Sequence, residues 1–243
     1  MVTALGVEEW RSDSRCAGWS NQDVIAHLAG VNMFWAASVR AGLAGSPTCL
    51  LANFDPIETP ERLVADMRDL EAQAVLEAFT SGNDELLDLL GSLDDKGWGV
   101  LAETPPGHLP IRLLAGHALW DSWVHERDIA LPLGIDQPVH LDEVGASLRY
   151  VCALVASLAI LNGPDGAGSF AIAADNPEVR FVMDLSDCVT VRSASPDPQD
   201  AILRGNAVQL IEALSARTPF PTELPDEWVP LVAGFEAVFA PRD

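Results

Sequence analysis

Lysine is nearly absent: Lys96 is the only one among 14 basic residues, set against 36 acidic ones, for a formal net charge of -22 over 243 residues. A surface this negative repels phosphate backbones and anionic membranes, so nucleic acid and acidic lipid are poor partners. Its plainest consequence is solubility. The lone lysine fits a GC-rich genome and bears on no mechanism. Cysteine is sparse as well. Cys16, Cys49, Cys152 and Cys188 form no C-x-x-C pair, which excludes a cysteine-rich zinc site. Cys152 lies in an apolar run and reads as core, and Cys16 reads as an ordinary thiol rather than a reactive one. No run approaches the roughly 20 apolar residues of a membrane span. Met1 to Trp10 has no basic start and no long apolar stretch, so no signal peptide is read and a cytoplasmic protein without disulfides is expected. Internal repeats and low-complexity segments are absent too.

What is present is an ordinary folding composition, 49% apolar, over a length that suits two modest domains. The first half reads helical. Ser20 and Asp23 form a capping-box-like start, followed at helical spacing by Val24, Ile25, Leu28, Val31, Phe34 and Trp35. Gly42, Gly45 and Pro47 end that helix. Thr59-Pro60-Glu61 predicts a second start, with a capping hydroxyl and proline at the first helical position. Its pattern runs through Leu63, Met67, Leu70, Val75 and Phe79. Ser81-Gly82-Asn83 interrupts it, and 84–93 resumes. A loop is expected over 94–110 and a helix over about 111–131. After Pro138 the character changes. A helix over about 141–161 leads to a turn at Gly163-Pro164-Asp165-Gly166. Strand-like runs follow at 169–174, 179–184 and 188–192. Ile202-Leu203 suggests another strand, then helices are expected over 206–216 and near 231–239. The expected domains are 1–137 and 138–243, and the fold class is α+β.

The strongest local signal is His117-x-x-x-Asp121-x-x-x-His125. At about 100° per residue, positions four apart stand roughly 6 Å apart on one helix face. Asp121 and His125 can therefore reach a common point. His117 is two turns from His125 and displaced by about 80°, so its candidate roles are support behind the ligands or proton shuttling, beside a plain structural role. A third ligand must come from another helix. His27 is the candidate, because an imidazole in Asp23-Val24-Ile25-Ala26-His27-Leu28-Ala29 is either buried and hydrogen-bonded or a ligand. Neutral imidazole and carboxylate suit zinc and similar ions, and three protein ligands leave one position open. Taken alone, the spacing equally fits a surface histidine paired with an aspartate.

Ala17-Gly18-Trp19-Ser20-Asn21-Gln22-Asp23-Val24-Ile25-Ala26-His27-Leu28-Ala29 resembles the first signature of the mycothiol-dependent maleylpyruvate isomerase family, whose N-terminal domain is a DinB-like metal-binding bundle. Asp121-Ser122-Trp123-Val124-His125-Glu126-Arg127-Asp128-Ile129 resembles its second, an acid followed by H-x-x-D-[IV]. Asp200-Ala201-Ile202-Leu203-Arg204-Gly205-Asn206 and the helix after it resemble the family's sterol-carrier-like C-terminal domain. The resemblance implies a divalent metal, zinc first, with nickel, manganese and iron as alternatives, held by His27, Asp121 and His125. Three departures stand out. The family usually has Glu at Asp121, often has arginine at Ala118, and opens with a full first helix where this chain has about ten residues. That short start leaves a bundle helix truncated or supplied by a partner in a homodimer.

The resemblance implies an enzyme that uses a low-molecular-weight thiol such as mycothiol on a small electrophile. An open metal position would stabilise the thiolate, and addition and elimination across a double bond would isomerise it. Asp128 would orient a ligand or serve an ordinary salt bridge. Two alternatives are a metal-assisted hydrolase, which would work without thiol, and a non-catalytic small-molecule or lipid-binding protein with a structural or vestigial metal site. Trp35, Trp120 and Trp123 read as bundle packing.

Overall fold

A computed structural model of the chain describes residues 1–162, 168–185 and 188–235. It divides into two compact units, Met1–Gln137 and Pro138–Asp243. In the first, a 3-10 turn at Val2–Ala4 is followed by four helices, α1 (Val7–Arg11), α2 (Asn21–Leu43), α3 (Glu58–Ala65) and α4 (Ala72–Gly91). A second 3-10 turn, Gly97–Gly99, and a hairpin of β1 (Leu101–Thr104) and β2 (Gly107–Pro110) lead into α5 (Ile111–Ala130).

The start of α2 is a capping box. Ser20 Oγ accepts from Asp23 N at 3.2 Å, and Asp23 Oδ2 accepts from Ser20 N at 2.9 Å. Two helix-end donors are thereby satisfied. The helix ends at Leu43, and Gly45 takes a left-handed φ of +78° just beyond. It packs most extensively along α4 and also touches α1, α3, α5 and β1.

Two apolar clusters divide this bundle. One gathers Trp10, Val24, Ile25, Ala26, Val75 and Ile129. The other gathers Trp35, Ala36, Val39, Leu86, Ile111, Leu114 and Ala118. Along α2 the first cluster precedes the second, and along α5 the order reverses, so the two helices run antiparallel. Positions 27 on α2 and 121–125 on α5 fall between the clusters on both helices.

Several sequence expectations are corrected here. The pattern over 59–79 is not one helix: it breaks at 66–71, between α3 and α4. The start of α3 is made by Asp55, whose Oδ1 accepts from Ile57 N and Glu58 N at 2.8 and 2.7 Å, rather than by Thr59 and Pro60. A carboxylate two and three residues upstream reaches those donors directly. The break expected at Ser81-Gly82-Asn83 does not occur. Gly82 is buried inside a continuous α4, where an added Cβ would stand 3.4 Å from Met33 N of α2. Close helix approach there outweighs glycine's poor helix propensity. The stretch 94–110 is not an irregular loop, since it holds the hairpin. Four-residue strands are too short to show alternation, and β1 is defined by packing on α2.

The second unit sets α6 (Leu141–Asn162) against a four-stranded sheet, β3 (Ser169–Asp175), β4 (Val179–Asp184), β5 (Thr190–Ser193) and β6 (Leu203–Asn206), in the order β5-β4-β3-β6. The β3–β6 pair is parallel and the others antiparallel. Val179, Phe181 and Met183 alternate inward along β4. Asn206 Oδ1 accepts from Gln209 N at 3.2 Å and caps α7 (Ala207–Leu214), and α8 (Val229–Val232) follows. The Gly163–Gly166 turn and the chain beyond Phe235 lie outside the described residues. Among those residues α6 is the one helix long and apolar enough to cross a membrane by length and composition, at a mean hydropathy of 1.5, which the sequence reading overlooked. Here Val144, Leu148, Val151 and Val155 are core, and 56% of that stretch is buried. A two-sided apolar helix is what a core position against a sheet requires.

Candidate metal centre

Between the two clusters, α2 contributes His27 and α5 contributes Asp121 and His125. His27 Nε2 lies 3.6 Å from Asp121 Oδ2, and His125 Nε2 lies 3.5 Å from Asp121 Oδ1. The two imidazole centroids are 4.9 Å apart at a steep angle. One nitrogen from each histidine and a carboxylate oxygen fall within 4.8 Å of one another. These separations exceed ordinary hydrogen bonds. They lie close to the edge of roughly 3.3 Å that bonds of ~2.0 Å make in a tetrahedral site.

The surroundings hold each ring. His125 Nδ1 is 3.0 Å from Asp128 Oδ2, and Asp128 is fully buried. With Nδ1–H donating to Asp128, the Nε2 lone pair faces Asp121, an arrangement typical of a metal-binding histidine. Asp128 is tied in turn to the loop before α2. Arg15 N donates to its carbonyl at 3.0 Å, and the Cys16 thiol donates to Oδ2 at 3.2 Å. Trp19 covers His27 at a centroid distance of 5.3 Å, and its Nε1 donates to Glu61 at 2.9 Å. Glu61 and Asp23 both bind Arg68. The tryptophan, serine and aspartate of the first signature therefore fix the loop and helix end that position His27.

Burial opposes charge on Asp121, yet the neighbouring imidazoles, His125 foremost, outweigh it and hold the carboxyl well below its usual range. Burial also opposes charge on His125, but Asp121, then Asp128 and Cys16, push it up to about 10. His117 goes the other way, since burial keeps it neutral against the pull of Asp121. His117 does not join the three converging residues. Its ring sits edge-on to Trp35 at 5.2 Å and to Trp120 at 5.4 Å. Trp35 belongs to the apolar cluster, and Trp123 carries Arg127 over its face at 4.9 Å. Ala118 is buried in the same cluster as Trp35, so no charge for an anion stands at that position.

The donor set fits a divalent ion. His27 Nδ1 is buried with no hydrogen-bond partner in the structure, and its Nε2 stands beyond hydrogen-bond reach of Asp121. A buried imidazole left unsatisfied at both nitrogens is costly unless something else engages it. Two imidazoles and one carboxylate are ligands suited to zinc and to other first-row ions. Cys16 and Arg15 were not legible as parts of this site. Their nearness to Asp128 spans more than a hundred residues, and the only hint is that Cys16 stands just before the Gly18-Trp19 pair.

A helical bundle that brings a histidine from one helix to an Asp-x-x-x-His pair on an antiparallel one defines the DinB-like class. Residues 1–130 match the family described as the mycothiol maleylpyruvate isomerase N-terminal domain, and the chain belongs to that family. Two solved structures are similar, the mycothiol-dependent maleylpyruvate isomerase and a histidine-to-alanine mutant of it. Each aligns at a TM-score of 0.62 and 16% identity over 92% of this chain and 88% of the other. The fold is thus the DinB-like bundle followed by a small α/β domain. No curated protein matches the chain significantly.

Proposed function

We propose that this protein is a metal-dependent enzyme that uses a low-molecular-weight thiol, of the mycothiol kind, to isomerise or modify a small electrophile. The observation that carries the reading is the convergence of His27, Asp121 and His125 with Asp128 behind His125. Those three residues would hold a divalent ion, zinc first. Such an ion lowers the pKa of a thiol or water placed in its open position. Asp121 supplies the negative charge that offsets the ion. Asp128 keeps the proton on His125 Nδ1, so that Nε2 remains free. Trp19 shields His27 from bulk water, which strengthens local electrostatics. His117, one turn before Asp121 and kept neutral by burial, can take up a proton.

The test has two parts. Elemental analysis of the purified protein beside His27→Ala and His125→Ala should show about one metal per chain in the wild type and its loss in both variants. The metal-loaded protein is then offered maleylpyruvate and related unsaturated electrophiles with and without mycothiol. Thiol-dependent turnover supports the reading. Turnover independent of thiol makes the protein a hydrolase. Metal without turnover makes it a binding protein, and metal retained in either variant removes the proposed ligand set.

A further inference from the structure

The loop between α1 and α2 reaches the outer side of both histidines, with Trp19 on His27 and Cys16 on His125. The Cys16 contact is the specific one. Asp128 Oδ2 receives two donors, His125 Nδ1 at 3.0 Å and the Cys16 thiol at 3.2 Å. Cys16 Sγ and His125 Nδ1 are themselves 3.6 Å apart, so the three groups close a triangle. The loop carrying the thiol is anchored by backbone, Arg15 N to the Asp128 carbonyl at 3.0 Å and Ser14 N to the Trp19 carbonyl at 3.0 Å. The Arg15 guanidinium also lies 3.8 Å from Asp128 Oδ1. Sulfur position is thus set by the chain rather than by side-chain choice.

We propose that Cys16 is a positioning residue of the metal centre: by donating to the Asp128 oxygen that His125 also binds, it holds that carboxylate in the plane where His125 presents Nε2 to Asp121. The proposal rests on the metal-binding reading above. Imidazole nitrogens point in opposite directions, so a sulfur on the Nδ1 side stands away from an ion on the Nε2 side. Cys16 therefore acts through Asp128 and His125 rather than as a ligand. A buried carboxylate that loses a donor on one oxygen gains freedom to rotate, and the ring it orients rotates with it. The effect belongs to a hydrogen-bond donor, not to sulfur, so serine should replace cysteine and alanine should not.

The experiment uses the full chain loaded with Co2+ and Zn2+. Affinity is read by competition with a chromophoric chelator, and coordination is read from the visible cobalt bands. Cys16→Ala is expected to bind about 3- to 10-fold more weakly, at or below the lower end of outer-sphere effects, with shifted cobalt bands. Cys16→Ser is expected to recover wild-type affinity and spectrum. Melting of the chelated variants separates these effects from folding, and Cys16→Val replaces the alanine variant if that one does not fold. Wild-type binding and spectrum in Cys16→Ala would overturn the proposal. So would a sulfur-to-cobalt charge-transfer band in the wild type that Cys16→Ala abolishes, because that shows direct ligation. A wild-type protein that binds neither ion removes the metal reading itself, and this proposal with it. Normal wild-type binding with an unaffected Cys16→Ala removes this proposal alone.

Discussion

His125 has two nitrogens with separate tasks, Nδ1 toward Asp128 and Nε2 toward Asp121. Without metal, those two acids draw a proton onto the ring and raise its pKa to about 10, while Asp121 is depressed. The consequences for stability follow from the directions of these shifts. The raised histidine contributes stability that is complete below its ordinary value of 6.5 and is lost as pH climbs toward 10. The depressed aspartate contributes stability present above its ordinary value of 3.8 and lost on acidification. Chelated protein should therefore melt highest in mildly acidic buffer and fall on both sides. Asp121→Asn should flatten the alkaline fall, which thermal unfolding across pH would show. Metal uptake runs against the proton on His125, so apparent affinity should rise with pH through the neutral range. Titration with a chelator of known affinity at several pH values checks this, and a flat profile would mean that His125 is not a ligand.

At the scale of elements, two contacts decide where helices can sit. Gly42 of α2 faces β1 so closely that an added Cβ would collide with the Leu101 carbonyl oxygen. Gly42→Ala should cost on the order of 1–3 kcal/mol by overpacking, visible as a lower denaturation midpoint. Glu103 of β1 is buried, and its carboxylate accepts from Leu50 N and Leu51 N at 2.8 and 2.7 Å. Burial works against its charge, but Thr48 and these amides hold it below its usual range. Glu103→Ala should free the segment after α2, and faster amide exchange at Leu50 and Leu51 is the measurement. Both contacts escaped sequence reading for one reason. A glycine and a glutamate carry no periodic signal, and their partners are remote in the chain. The capping box at Ser20 and Asp23 was legible because its parts lie within one turn.

For the whole molecule, the charge of -22 and the metal centre make separate demands on stability. Self-repulsion of so acidic a chain should ease with salt, raising the melting temperature between low and moderate ionic strength. Metal acts by mass action, adding about 2.7 kcal/mol when free ion is a hundredfold above its Kd. Chelation should lower the melting temperature of the wild type and leave His27→Ala unchanged, which calorimetry with and without chelator distinguishes.

Local patterns alone marked the long helices, the strands at 169–174 and 179–184, and the face of α5 that carries Asp121 and His125, because helix and strand periods are short-range. Resemblance of two signatures joined His27 to that pair, though nothing in spacing could place one helix beside the other. The antiparallel approach of α2 and α5 between two apolar clusters, the continuity of α4 through Gly82, the hairpin before α5 and the Cys16–Asp128–His125 triangle were decided only in three dimensions. Each depends on residues brought together by core packing, whose energy is shared across the fold and leaves no mark on a neighbouring residue in sequence.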